Sequence, residues 1–133
     1  MGDFESLEEA REYFGKDRFA SDAGVILEEL YEDGCVCSLT LNDSHKNAYG
    51  GVMGGVMFTL ADFAFAVTTN DKERRCVAQQ VSINYLSAPK GSRLIARAKC
   101  RKDGRTSNVV NVDISDDTGR DIAQFVGTGF KLN

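Results

Sequence analysis

The sequence predicts an α+β domain in which one long apolar helix lies on an antiparallel sheet. Three observations support this fold class. An apolar run of helix length covers residues 54–69, four long β-rich segments follow residue 70, and turn clusters separate those segments. The chain has 133 residues, 42% of them hydrophobic and 27% charged, which is typical of a globular protein. We therefore expect a single domain over residues 1–133.

The first part of the chain predicts a short helix followed by a β-hairpin. Ser6 and Glu9 form a capping box at the start of a helix over residues 6–14, which carries a stripe of apolar residues. Strands are expected over 24–31 and 35–41, because the Asp-Gly pair between them is typical of a tight hairpin turn. Residues 42–51 are polar and rich in glycine, which predicts a loop.

The run over residues 54–69 predicts the central helix. It is apolar nearly all round, so it must be buried, either against a sheet or against a second subunit. A membrane span is not expected, because the run is short for a bilayer and Asp62 lies near its centre. The later strands are expected over 75–86, 93–102, 107–115 and 121–132.

Composition excludes several classes of function. The net charge of -4 and the lack of a basic stripe argue against a nucleic-acid partner. The acidic N-terminal segment does not resemble an export signal, and the cysteines and the single histidine lack the spacing of zinc ligands. Cys35 and Cys37 should lie on the same face of one strand and pack in the core. We expect a reduced, cytoplasmic protein.

Asp62 is the only charged residue between Asn47 and Asn70, in the segment NAYGGVMGGVMFTLADFAFAVTTN. The start of a buried helix offers unpaired N–H groups and a positive dipole end, which stabilise a developing oxyanion. Gly54 and Gly55 would let a ligand approach this backbone closely. Burial of Asp62 would raise the pKa of its carboxyl group and make it a better base or nucleophile.

The segment NAYGGVMGGVMFTLADFAFA resembles the signature of hotdog-fold acyl-CoA thioesterases of the phenylacetate-degradation type. The signature has an Asn, a spacer with Gly, His-Gly-Gly, and Phe-x-Leu-Ala-Asp on the helix. The resemblance is weaker across VSINYLSAPKG and GRDIAQFVGTGF. It implies a hotdog fold, in which a curved antiparallel sheet wraps the long helix. It also implies a homodimer or homotetramer with the active site between subunits.

The resemblance assigns catalytic roles to three residues. Asp62 matches the catalytic carboxylate, which acts as base or nucleophile, and the Gly54 N–H matches the donor to the thioester oxygen. Asn47 matches the residue that helps to hold the reacting water or the thioester. Met53 stands where the family has the histidine of His-Gly-Gly, and a thioether cannot donate the hydrogen bond that imidazole would make.

Further residues are candidates for substrate binding. Met53 and Gly55 adjoin the helix start, and Phe58 is a candidate for the acyl pocket, although such aromatic residues more commonly belong to the core. Gln79 or Gln80 could replace the Ser or Thr that relatives carry on the strand opposite the helix, depending on which one points inward.

The coenzyme A part of the substrate carries phosphates, so basic residues should line the entrance to the site. Four cations are expected to cluster in the loops between the late strands: Lys90, Arg93, Lys102 and Arg105. Arg105 is the first choice for a phosphate contact.

The predicted function is hydrolysis of an acyl-CoA thioester to a free acid and coenzyme A, with no metal or redox cofactor. Met53 motivates an alternative, a non-catalytic acyl-CoA-binding hotdog protein. A hotdog dehydratase or hydratase is disfavoured, because such enzymes need an acid–base histidine and His45 is out of register with the motif.

Overall fold

The computed structural model describes residues 4–70 and 74–132. The helices and strands follow one another along the chain largely in the predicted order. The helices are α1 (Leu7–Phe14), α2 (Arg18–Ala23) and α3 (Gly54–Thr69). The strands are β1 (Ile26–Tyr31), β2 (Gly34–Thr40), β3 (Cys76–Tyr85), β4 (Arg93–Asp103), β5 (Ser107–Asp116) and β6 (Asp121–Lys131).

The strands form one antiparallel sheet in the order β1-β2-β4-β5-β6-β3, so β1 and β3 lie at its two edges. α3 lies across one face and contacts β2, β3, β4, β5 and β6. A long helix wrapped by a curved antiparallel sheet is the predicted hotdog arrangement. Among the described residues, no helix is both long enough and apolar enough to cross a membrane.

The inner face of the sheet packs against α3. On β5, Val110, Val112 and Ile114 alternate with more exposed residues and are buried, as expected for a strand with one wet face. The helix approaches β6 closely at Gly127, where a Cβ atom would lie 2.7 Å from ring carbons of Phe65. Only glycine fits at this position without displacing the ring, so Gly127 lets the helix sit against the sheet.

The N-terminal helices cover one side of α3. α1 begins after Ser6, whose side chain accepts a hydrogen bond from Glu9 N–H, as predicted. The sequence did not predict α2, which Asp17 caps and Gly24 ends with a left-handed φ of 103°. Because Gly24 terminates this helix, β1 begins at Ile26, two residues later than predicted.

The hairpin and its cysteines agree with the prediction. β1 and β2 pair on either side of the turn, with Tyr31 opposite Gly34. Cys35 and Cys37 are buried with their Sγ atoms 3.8 Å apart, and Cys35 Sγ also lies 3.4 Å from the Ala64 carbonyl oxygen. Both cysteines therefore pack in the core, between the sheet and α3.

Asp116 joins two loops at one end of the sheet. Its side chain is 2% exposed, and its Oδ2 accepts hydrogen bonds from Lys90 N–H at 2.8 Å and Gly91 N–H at 2.9 Å. Its Oδ1 accepts from the Thr118 hydroxyl at 2.6 Å and from the Thr118 and Arg120 N–H groups. These bonds, with the Thr118 hydroxyl first, hold the pKa of Asp116 well below its usual range.

We predict that Asp116→Asn lowers the melting temperature at pH 7 by roughly 5 °C, because an amide cannot replace a carboxylate that accepts five hydrogen bonds. The folded-state pKa lies below the unfolded value of about 3.9. The charged carboxylate therefore stabilises the fold above about pH 4, and this contribution is lost as the pH falls towards the folded-state pKa. The difference from wild type should thus shrink in acid.

Thermal unfolding followed by circular dichroism between pH 2 and pH 7 measures this difference. Asp113→Asn is the matched control, because Asp113 is an exposed acid on the same strand. An equal effect of both variants at pH 7 would show that Asp116 has no special role.

Candidate active site

The start of α3 presents two free backbone donors. Met53 occupies the N-cap position, and its side chain makes no capping hydrogen bond. The N–H groups of Gly54 and Gly55 donate no hydrogen bond within residues 4–70 and 74–132, whereas the next N–H, that of Val56, donates to the Met53 carbonyl. The helix start can therefore bind a carbonyl oxygen that gains negative charge.

Asn47 lies in the loop that precedes α3. Its Oδ1 accepts hydrogen bonds from Tyr49 N–H at 3.0 Å and Gly51 N–H at 3.2 Å. Its Nδ2 donates to no group in the described part of the chain, so it remains available to a ligand or water. The loop projects from the fold, and Tyr49 at its tip is 99% exposed.

His45 anchors the same loop and takes no part in the candidate site. It is 4% exposed, and its Nδ1 accepts from Asn42 N–H at 3.1 Å. The other ring nitrogen, Nε2, must therefore carry the proton, and it donates to the Ala23 carbonyl at 2.7 Å. Both ring nitrogens thus serve the fold, which agrees with leaving His45 out of the motif.

Asp62 lies on the side of α3 that the sheet leaves uncovered. The expectation that its carboxyl group is buried in apolar surroundings is not met within one chain, where Asp62 is exposed. The sheet and α2 bury the other sides of the helix, and a strip of small or polar residues stays open: Gly55, Thr59, Asp62 and Ala66. No hydrogen bond or ion pair of the Asp62 side chain is formed within the described ranges.

The pKa of Asp62 is nevertheless raised above its usual value. Surrounding protein that partly excludes water is the main cause, and the negative charge of Asp17 at the N-cap of α2 adds to it. Water still reaches the carboxyl group, so the shift within one chain is smaller than full burial would produce. Further burial of Asp62 would require a second chain or a bound ligand.

Gly54 and Asp62 do not meet within one chain. They are eight residues apart on one helix, which separates them by about 12 Å along the helix axis. For reaction, the N–H donor must lie about 3 Å from the carbonyl oxygen and the attacking group about 3 Å from the carbonyl carbon. Gly54 and Asp62 of one chain are too far apart to act on the same carbonyl group.

Three other predicted contacts occupy different environments. Met53 is 54% exposed, and its thioether folds over Gly55, with Sδ 3.8 Å from where a Gly55 Cβ would lie. Phe58 is partly buried and packs edge-on against Phe125 with ring centroids 5.6 Å apart. Gln79 is exposed and sits in a β-bulge of β3, where the register with β6 shifts between Ala78 and Gln80.

Gln80 points away from the helix, which answers the question of register. It pairs with Thr128, whose neighbours Gly127 and Gly129 lie on the buried face of β6. Since side chains alternate along a strand, Gln80 lies on the outer face of the sheet.

The prediction that the four basic residues cluster is wrong within one chain, because they lie at two opposite ends of β4. Lys90 and Arg93 lie at the start of β4 and Lys102 and Arg105 at its end, about 33 Å away for a strand of 11 residues. The Arg93 guanidinium is also engaged, because it donates to Glu28 at 2.6 Å.

Lys90 lies at the same end of the fold as Gly54, because the segment before it, 85–88, lines a cleft with the helix start. Arg105 lies at the opposite end, near the end of α3, where its carbonyl accepts a hydrogen bond from Arg74. The phosphate contact expected of Arg105 therefore stays a prediction.

The structure places three residues at the site that the sequence did not suggest. Asp17 acts on the charge of Asp62, and Tyr85 donates its hydroxyl to the Gly54 carbonyl at 3.2 Å. The Thr59 hydroxyl lies on the open strip and donates to the Gly55 carbonyl at 2.8 Å. The spacing of Asp17 and Gly24, a helix-capping residue and a helix-ending glycine, could have indicated α2. No local pattern links Tyr85 to Gly54.

The fold and the helix start define a hotdog-fold protein with free amides where a substrate carbonyl can bind. Comparison with known proteins agrees with this class, because a profile of the Thioesterase superfamily matches residues 49–123. The chain belongs to the Thioesterase superfamily.

Individual relatives cover most of the fold. The chain is 27% identical over 124 residues to the acyl-coenzyme A thioesterase PaaI of Escherichia coli. The aligned residues make up 92% of this chain and 89% of the relative. The chain is 30% identical over 93 residues to human acyl-coenzyme A thioesterase 13, covering 67% of this chain and 66% of the relative.

Solved structures match as well. The crystal structure of a hypothetical thioesterase protein with coenzyme A from Streptococcus pneumoniae has a TM-score of 0.81 and 31% identity. The match covers 90% of this chain and 97% of that chain.

We predict that Asp17→Asn lowers the pKa of Asp62, because it removes the neighbouring negative charge. Asparagine can still cap α2 by accepting the hydrogen bond from Ala20 N–H, so the helix should stay in place. A titration of the Asp62 carboxyl carbon by NMR measures the shift. Asp22→Asn, on the same helix, is the control and should leave the Asp62 pKa unchanged. An unchanged pKa in Asp17→Asn would contradict the charge coupling.

Proposed function

We propose that the protein hydrolyses acyl-CoA thioesters to a free acid and coenzyme A. The observation that carries this proposal is the pair of free N–H groups at Gly54 and Gly55 on a helix that also displays the Asp62 carboxylate. The first feature suits a developing oxyanion and the second suits activation of the attacking group. No metal or redox cofactor is required for this chemistry.

The relatives support the class of substrate. An Escherichia coli relative and a human relative are named acyl-coenzyme A thioesterases, and a similar structure from Streptococcus pneumoniae was solved with coenzyme A. Both supports concern the thioester and its coenzyme A part, and the acyl group of the substrate is left open.

In the proposed reaction, the thioester oxygen accepts hydrogen bonds at the helix start. Asp62 either takes a proton from the water that attacks the carbonyl carbon or attacks that carbon itself to form an anhydride, which water then opens. In the first route, the proton that Asp62 took passes to the sulfur as the C–S bond breaks. In the second route, the C–S bond breaks as the anhydride forms, and the thiolate receives its proton from the water that opens the anhydride. Both routes release the thiol of coenzyme A and the acid and return Asp62 as a carboxylate. Loss of one oxyanion donor typically raises such a barrier by about 3 kcal/mol.

The proposed site lies between two chains that pair along β3. This strand bonds to β6 on one side only, most of its residues are exposed, and Val77 beside its start is 46% exposed. Antiparallel pairing of β3 with its copy would run the two α3 helices in opposite directions. The Gly54 of one chain would then approach the Asp62 of the other, so the separation of about 12 Å between these residues within one chain would no longer prevent them from acting together. A dimer, or a tetramer built from two such dimers, follows from this proposal.

We predict that purified protein releases free thiol from aryl- or medium-chain acyl-CoAs and that Asp62→Asn lowers kcat/KM by at least about a hundredfold. Asp62 is exposed in the single chain, so the variant should fold normally. A thiol reagent follows the reaction, and Asp113→Asn serves as the control. Wild-type protein that binds coenzyme A but cleaves no thioester would favour the alternative, a non-catalytic acyl-CoA-binding protein, which Met53 in place of the motif histidine suggests.

We predict that two inactive variants restore activity when combined in one oligomer. Gly54→Pro removes the N–H of the first helical residue, a position whose backbone suits proline, and Met53 already has the extended backbone that proline requires before it. The proline Cβ would lie 3.1 Å from the Tyr85 ring, which must shift by a few tenths of an ångström to make room. A hybrid dimer of Gly54→Pro and Asp62→Asn chains contains one site with both groups intact. The isolated hybrid should therefore regain about half of wild-type activity, and a statistical mixture of the two chains about a quarter.

Co-expression of the two variants with different affinity tags isolates the hybrids for this measurement. Each variant purified alone, and the two mixed without exchange of subunits, are the controls. Pure hybrids as inactive as the parent variants would show that Gly54 and Asp62 act in the same chain or do not act in catalysis.

A further inference from the structure

Tyr85, the last residue of β3, contacts Gly54, the first residue of α3, through a hydrogen bond and through its ring. Its hydroxyl donates to the Gly54 carbonyl at 3.2 Å. Its ring lies against the Gly54 Cα, since a Cβ atom built there would be 3.1 Å from Cζ and 3.3 Å from Cε1 of the ring. Any side chain at position 54 would press on the tyrosine, so the glycine and the tyrosine fit each other as a pair.

The hydrogen bond reaches a peptide group that matters for the site. The Gly54 carbonyl and the Gly55 N–H belong to one planar peptide, so a bond that fixes the carbonyl also fixes the direction of the N–H. Donation to the carbonyl oxygen also polarises the amide and strengthens its N–H as a donor. The Gly55 N–H itself has no acceptor in the described part of the chain, so it is free for a ligand.

Tyr85 comes from a different part of the fold from the helix that it holds. It ends β3, whose pairing with β6 places Tyr85 opposite Ala123. It also lines a cleft of about 420 Å³ with Val52, Gly54, Met57 and residues 86–88. The tyrosine therefore connects the edge of the sheet to the helix start and is itself half exposed towards that cleft.

We infer that Tyr85 is a positioning residue that holds the Gly54–Gly55 peptide in the orientation for binding the thioester oxygen. This inference rests on the proposed function, because it concerns the same site. Tyr85 acts through the peptide and does not itself touch the reacting atoms. Its effect should appear in the turnover step rather than in the binding of coenzyme A.

The test compares Tyr85→Phe with Tyr31→Phe. Phenylalanine keeps the ring against Gly54 and removes only the hydroxyl. Tyr31 is the control, since it is a half-exposed tyrosine on β1, at the other edge of the sheet, whose hydroxyl donates to Glu29. We expect Tyr85→Phe to lower kcat about fivefold with KM within about twofold of wild type. We expect Tyr31→Phe to leave both constants unchanged.

NMR of ¹⁵N-labelled protein gives a readout that a merely structural role would not move. Loss of the hydrogen bond to the Gly54 carbonyl should shift the Gly55 amide resonance, while the melting temperature stays close to that of wild type. If wild type cleaves thioesters, but Tyr85→Phe leaves kcat and the Gly55 amide resonance unchanged, the inference about Tyr85 is overturned and the proposed function stands. A wild-type protein without any turnover would overturn both the inference and the proposed function.

Discussion

The structure depends on one constraint, which is that a helix apolar on nearly every side lies against a sheet that can cover only part of it. The sheet and α2 bury residues such as Leu60, Phe63 and Val67. The remaining strip carries small or polar residues around Asp62, so its exposure costs little hydrophobic free energy. The same strip holds the carboxylate that the sequence singled out. The face that the fold leaves open is thus the face on which the proposed catalytic carboxylate lies.

The backbone around the helix start is held by side chains rather than by regular secondary structure. Asp116 ties the segment at Lys90 and Gly91 to the turn between β5 and β6. Asn47 closes its own loop through two N–H groups, and Tyr85 holds the Gly54 peptide. Each contact satisfies polar backbone groups that would otherwise compete for the ligand or for water. Among the described residues, the N–H groups of Gly54 and Gly55 have no such partner, so they are available to a ligand.

The sequence was informative wherever a local pattern determines the structure. The bounds of α3 were predicted to the residue, because the apolar run begins at a glycine pair and ends before Asn70. The β-strands were recognised by their turns, within one or two residues at each end. The helix α2 was missed, since its six residues are too few to show a clear period.

Features that depend on the path of the chain through space could not be predicted. Whether Asp62 is buried depends on which face of α3 the sheet covers. Because the helix is apolar nearly all round, only the small or polar residues near Asp62 distinguish the open face in the sequence. Lys90 and Arg105 fall 15 residues apart in loops of similar composition, yet β4 carries them to opposite ends of the sheet. The contact between Tyr85 and Gly54 joins residues 31 positions apart and follows only from the placement of β3 at the edge.

The strand order also determines how the chain can reach this structure. β3 pairs with β6 across an interval that contains β4 and β5, and β2 pairs with β4 across the whole of α3. Such long-range pairings require large loops to close, which slows folding relative to a helical bundle of equal size. During synthesis, α3 leaves the ribosome before most of the surface that will bury it exists. The newly made chain must therefore keep its most apolar segment from aggregating until β6 arrives.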